Sequence, residues 1–130
     1  MTETKDWNGL RVLVVEDEAM VSMLVEDMLL DLGCEIVGPA ARIPAALDLA
    51  SNADIDAAVL DVNVAGQAIW PVADALSARG VPIVFTTGYG ESGLQGAYVN
   101  HDVVQKPFQI DDLVRALSAS LEKSAARESR

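Results

Sequence analysis

The sequence predicts an α/β fold, one parallel sheet of five strands between helices, and two observations predict it. Short β-rich apolar runs alternate with longer segments of helical period along the whole chain, the pattern of repeated strand–helix–strand units. The runs are apolar throughout, as at residues 10–15 and 57–60, so their strands are expected to be covered on both faces.

Residues 10–15 supply the first strand. Val21, Leu24, Val25, Met28 and Leu32 then follow a helical spacing that Gly33 ends. Residues 35–37 read as a second strand before Gly38 and Pro39. Pro44 suits the first turn of a helix that carries Ala46, Leu47 and Ala50. Residues 57–60 form the third strand, which runs directly into Asp61. Pro71 opens a helix holding Val72, Ala75 and Leu76, and Gly80 closes it.

Residues 81–86 are the fourth strand. Residues 88–100 contain Gly88, Gly90, Gly93 and Gly96, so a fourth helix there is expected to be short or disordered. Residues 103–105 are the fifth strand, and Ile110, Leu113, Val114, Leu117 and Leu121 line one face of a last helix. Asp111 and Asp112 sit in its first turn, where the helix dipole favours acids. Together these give a three-layer (βα)5 sandwich of flavodoxin-like strand order 2-1-3-4-5. One domain is expected over residues 9–122, with residues 1–8 and 123–130 as flexible ends and no internal repeat or linker.

At 130 residues, 51% of them hydrophobic, the chain is long enough and apolar enough for one core. Twenty acidic side chains against nine basic ones leave a net charge of −11. That balance argues against direct contact with nucleic acid or anionic membrane. No apolar run approaches the roughly 20 residues of a membrane span, and the polar first residues do not resemble a signal peptide. A cytoplasmic protein is expected, with Cys34 as a buried thiol.

In a sheet of this order, sites form at the carboxyl edge where the strand order reverses. Glu16 and Asp17 follow the first strand and Asp61 the third, so these acids are expected to converge there. Glu16 and Asp17 alone read equally well as turn residues. Asp61, directly behind four apolar residues, is harder to place without a partner. Clustered carboxylates repel and call for a cation. Oxygen donors without nearby His or Cys suit Mg²⁺, to which the Asn63 backbone carbonyl adds a further donor; Mn²⁺ or Ca²⁺ are expected substitutes. Thr87 ends the fourth strand with a hydroxyl. Lys106 ends the fifth with a cation, before Pro107, a candidate cis-proline. A carboxylate, a divalent ion, a hydroxyl and a lysine together suit phosphoryl transfer onto Asp61.

With these residues in place, the chain resembles the receiver domain of two-component response regulators. The matching pieces are Val-Leu-Val-Val before Glu16-Asp17-Glu18, then Asp61-Val62-Asn63, then Phe85-Thr86-Thr87-Gly88, then Lys106-Pro107-Phe108. They cover residues 9–122 in order. The resemblance implies a phosphoprotein that takes its phosphoryl group from a histidine kinase or a histidine phosphotransfer protein. With Tyr89 included, the fourth-strand motif is similar to a variant, often stand-alone bacterial branch whose motif reads Phe-Ala-Thr-Gly-Tyr. That likeness makes Thr87, not Thr86, the phosphate-sensing residue, while the resemblance to receivers in general makes Asn63 and Tyr89 tuning positions for dephosphorylation. Output would come through binding another protein, or the domain would act as a phosphate shuttle or sink.

Two positions depart from the common pattern. Ala65 stands where many receivers have Pro, and Val103 where many have an aromatic switch residue. Three other readings compete. Gly88, Gly90 and Gly93 match the letters of a GxGxxG dinucleotide loop, but behind the fourth strand instead of the first. A haloacid-dehalogenase-like phosphatase would need an acid where Asn63 stands, and a non-phosphorylated interaction module would show no Mg²⁺ dependence. His101 is expected to stand alone in a loop, while Trp7 and Trp70 are expected to pack.

Overall fold

The structure, a computed structural model, describes residues 7–88, 94, 98 and 101–128. Its elements are β1 (Arg11–Val15), α1 (Ala19–Asp31), β2 (Glu35–Ala40), α2 (Ile43–Asn52), β3 (Ala57–Asp61), β4 (Asn63–Val64), β5 (Gln67–Ala68), α3 (Trp70–Ala78), β6 (Ile83–Thr87), β7 (Asp102–Gln105) and α4 (Ile110–Glu128). The main sheet runs β2-β1-β3-β6-β7 and every pairing in it is parallel. This is the expected order 2-1-3-4-5 once the small β4–β5 hairpin is counted.

Strand alternation divides the core into two layers. Leu13, Val15, Ala58, Leu60, Ile83 and Phe85 pack under α2 and α3. Val12, Val14, Ala57, Val59, Val84 and Val104 pack under α1 and α4. Both faces of β1, β3 and β6 are thus covered, which is why their sequences are unbroken apolar runs.

The helix ends follow local chemistry. At the end of α1, Gly33 adopts φ +91°. Its N–H donates to the Leu30 carbonyl at 3.0 Å, and that of Cys34 to the Leu29 carbonyl at 3.0 Å, a Schellman closure. Gly80 closes α3 the same way, with bonds from Gly80 to Ser77 and from Val81 to Leu76.

Several expectations change. The hairpin was not anticipated: Ala65 and Gly66 form its two-residue loop, both with positive φ. β2 runs to Ala40, beyond the expected residue 37. At the ends, Trp7 is buried in the α1/α4 layer with an exposure of only 8%. Its carbonyl accepts from Leu10 N–H at 2.9 Å, so the packed core begins ahead of residue 9. α4 continues to Glu128, past the expected end at residue 122. The His101 ring, expected to stand alone, packs edge-on against Phe85 and Tyr98. The expected short fourth helix and Tyr89 lie outside the described residues, as does the GxGxxG segment beyond Gly88.

Candidate phosphoryl-acceptor site

Alternation also aims the site. Glu16 shares the parity of Val12 and Val14, Asp61 that of Ala57 and Val59, and Lys106 that of Val104. All three side chains therefore emerge on the α1/α4 side of the carboxyl edge. There Lys106 Nζ lies 2.9 Å from Glu16 Oε1 and 2.9 Å from Asp61 Oδ2. It also lies 2.9 Å from Glu18 Oε1, a carboxylate that is mostly exposed.

Glu16 and Asp61 are almost wholly buried, at 4% and 2% exposure. Each is satisfied in the same way. One oxygen goes to Lys106; the other accepts a backbone N–H two residues on, Glu18 to Glu16 Oε2 and Asn63 to Asp61 Oδ1, both at 3.1 Å. Without those partners two charges at this depth would be prohibitively costly. Burial still pushes the Glu16 carboxyl up to about 7, against the pull of Lys106 and the Glu18 N–H and with some help from the Asp61 charge. Burial disfavours the Lys106 ammonium, but its bonds to Glu18, Asp61 and Glu16 outweigh that and hold its pKa above the ordinary lysine value.

Asp17, expected in this cluster, turns aside: its Oδ2 accepts the Ala65 N–H at 3.1 Å. Among the described residues, the acids whose oxygens lie within 4.8 Å of one another are Glu16, Glu18 and Asp61. Glu18 is the residue sequence reasoning missed. Three adjacent acids are equivalent on paper, and only the start of α1 decides which of them returns to the lysine.

The β4–β5 hairpin shapes the opposite wall. Val62 O accepts Ile69 N–H at 3.0 Å, so the next pair, Asn63 with Ala68, is of the kind whose polar backbone groups point away from the partner strand. Accordingly Asn63 N–H goes to Asp61, and the Asn63 carbonyl faces away from β5. The Asn63 side-chain oxygen accepts Gly66 N–H at 3.0 Å and fixes the turn. Oxygen-only donors, among them two buried carboxylates, suit a hard divalent cation such as Mg²⁺.

On the far side, the register sets Thr86 opposite Asp61 and Thr87 one step nearer the rim, opposite Gln105. The Thr87 carbonyl accepts Lys106 N–H at 2.8 Å, so the hydroxyl-bearing and lysine-bearing strand ends are tied together. The Lys106–Pro107 bond is cis, as expected, and Gly38–Pro39 is cis as well. Beside the lysine, Val21, Leu24, Pro107 and Phe108 line an open apolar groove of about 380 Å³ that begins at Glu18 and Lys106. Met20 and Met23 are exposed on the same helix, at 85% and 62%.

Comparison with known proteins identifies the kind of domain that carries this site. Residues 12–118 match the family model of the response regulator receiver domain. The transcriptional regulatory protein PdtaR of Mycobacterium tuberculosis is 32% identical over 120 residues, covering 87% of this chain and 57% of PdtaR. This chain spans about half the length of the curated relatives it matches. The solution structure of SdrG from Sphingomonas melonis superposes with a TM-score of 0.80 at 39% identity, covering 87% of this chain and 97% of SdrG. The receiver domain of the sensor histidine kinase PA1611 from Pseudomonas aeruginosa superposes at 0.72 with 27% identity, covering 88% of this chain and 98% of that domain. That structure has magnesium coordinated in its active-site cleft.

Proposed function

Because the chain belongs to the response regulator receiver family, we propose that it accepts a phosphoryl group on Asp61, with Mg²⁺, from a histidine kinase or a histidine phosphotransfer protein. The observation that carries this reading is the buried Asp61 carboxylate held 2.9 Å from Lys106 Nζ beside the buried Glu16. Nothing in packing alone calls for two buried acids and a lysine at one edge of the sheet.

Glu16, Asp17, Asp61 and the Asn63 carbonyl would hold the metal, Asp17 through the oxygen it does not give to Ala65. When bound, the ion supplies positive charge for the transferring group's oxygens. Asp61 is the nucleophile: its oxygen forms the bond to phosphorus as the donor's bond to phosphorus breaks. Lys106 is placed to neutralise charge on the incoming group, and the Thr87 hydroxyl to bond the new phosphoryl oxygens. Thr87 is then the sensing residue, and Asn63 and Tyr89 set the lifetime of the acyl phosphate. The apolar groove and the exposed Met20 and Met23 suit a helix of the phosphodonor protein, which must bring a phosphohistidine to this edge.

No helix among the described residues is long and apolar enough to cross a membrane, and the reading places the protein in the cytoplasm. Its output is contact with another protein, or service as a phosphate shuttle or sink. Intact-mass measurement after acetyl phosphate and Mg²⁺ tests the assignment. The wild-type chain should gain one phosphoryl group and Asp61→Asn none. Equal labelling of the two removes Asp61 from its role.

A further inference from the structure

The buried pair of Glu16 and Asp61 already balances Lys106, yet a third carboxylate reaches the same ammonium. Glu18 is the N-cap residue of α1, with the extended backbone that position needs, but its side chain makes no capping bond. Ser, Thr, Asp or Asn would cap far better there. The Glu18 carboxylate goes instead to Lys106 Nζ at 2.9 Å. Its own N–H goes to Glu16 Oε2 at 3.1 Å, so the backbone at Glu18 is pinned to the site that its side chain addresses. The Glu18 side chain is 62% exposed and that of Lys106 only 11%. The pair therefore sits at the mouth of the cleft, where an incoming phosphoryl group must pass.

We propose that Glu18 is a positioning residue that detains Lys106. It competes with the phosphoryl group for the ammonium and so sets how readily the site takes up and keeps that group. This rests on the phosphoacceptor reading above. With Glu18 in place, Lys106 shares its three protons among three carboxylates, and a phosphoryl oxygen must displace one of them. Removing the exposed competitor leaves Glu16 and Asp61 to orient the lysine and frees its outward direction.

The test is beryllofluoride titration of the full chain at saturating Mg²⁺, followed by amide chemical shifts, in wild type, Glu18→Gln, Lys106→Ala and the double variant. Glutamine keeps the size of the side chain and removes its charge. Half-saturation in Glu18→Gln should fall about threefold, the scale of one partly exposed ion pair. Glu18→Gln should change nothing in the Lys106→Ala background. An unchanged or weakened response in Glu18→Gln, or the same gain without Lys106, overturns the proposal. So does a tenfold rise in the magnesium needed by Glu18→Gln, since Glu18 would then be a metal ligand. If wild-type protein shows no beryllofluoride uptake, or Asp61→Asn titrated beside it takes up as much, the phosphoacceptor reading itself fails.

Discussion

Glu16 carries a consequence for pH that follows from its burial. Its carboxyl is pushed up from 4.5 to about 7 in the folded protein. Between those values the folded state binds more protons than the unfolded chain, so stability falls as pH rises. The contribution of the neutral carboxyl is fully present below about pH 4.5 and is gone once the pH has passed about 7. Its size is on the order of 1–3 kcal/mol. Thermal melts in chelator from pH 5 to 8 should slope downward for wild type and flatten for Glu16→Gln. Equal slopes would mean that Glu16 is ionised throughout, held so by Lys106. Glu16 and Asp61 were legible in the sequence because each directly follows an apolar run, where a charge has few innocent explanations, and Lys106 because it ends the fifth strand, two residues past Val104. Glu18 was not, because its role depends on the turn into α1.

At the scale of elements, the β4–β5 hairpin accounts for one departure from the common receiver pattern. Ala65 has φ +53° and donates its N–H to Asp17. Proline cannot adopt that φ and has no N–H to give. Asn-Gly or Asp-Gly would have announced such a turn; Ala-Gly does not, which is why the hairpin was missed. A left-handed alanine costs about 1 kcal/mol, so Ala65→Gly should be stabilising by a few tenths of a kcal/mol after its own entropy cost. Ala65→Pro should destabilise by about 2 kcal/mol or more. Urea unfolding of both variants checks the two signs, and a stabilised proline variant would show that the turn has another conformation. Elsewhere the helices share their caps. Arg79, at the end of α3, donates to the Ala50 and Ala53 carbonyls at 2.6 and 2.8 Å, covering the exposed end of α2 that has no glycine of its own. Arg79→Ala should therefore cost about 1 kcal/mol in the same experiment.

Across the whole molecule, the sheet order was legible because helical and strand periods alternate without interruption, while the ends were not. Trp7 has no periodic neighbours, and only the fold reveals that it joins the core layer under α1 and α4. The aromatic cluster was also hidden. Trp70 stacks on Tyr98 with centroids 5.6 Å apart, Phe85 meets both edge-on, and Tyr98 O–H donates to Asp74 Oδ1 at 2.6 Å. These contacts join β6, two residues before Thr87, to α3. The position where many receivers carry an aromatic switch is instead Val103, about half exposed. Aromatic packing beside β6 is thus present in this chain, built around Phe85, the β6 residue that the register sets opposite Val103.

The same molecule-wide view bears on Lys106. A chain of net charge −11 holds Glu16 and Asp61 buried around one ammonium, and its stability depends on that cation. Lys106→Ala leaves two buried carboxylates without it, and in chelator the loss should be about 3 kcal/mol. On the proposed reading, a divalent ion held by the same carboxylates would replace the missing charge. Binding only the folded chain, it would add about 2.7 kcal/mol at a hundredfold excess over its dissociation constant. Excess Mg²⁺ should therefore raise the melting temperature of Lys106→Ala more than that of wild type, since no ammonium competes for the acids in the variant. The comparison needs four melts, each protein with chelator and with Mg²⁺. A deficit in Lys106→Ala that is as large with magnesium as without it would show that the ion and the lysine do not share these carboxylates.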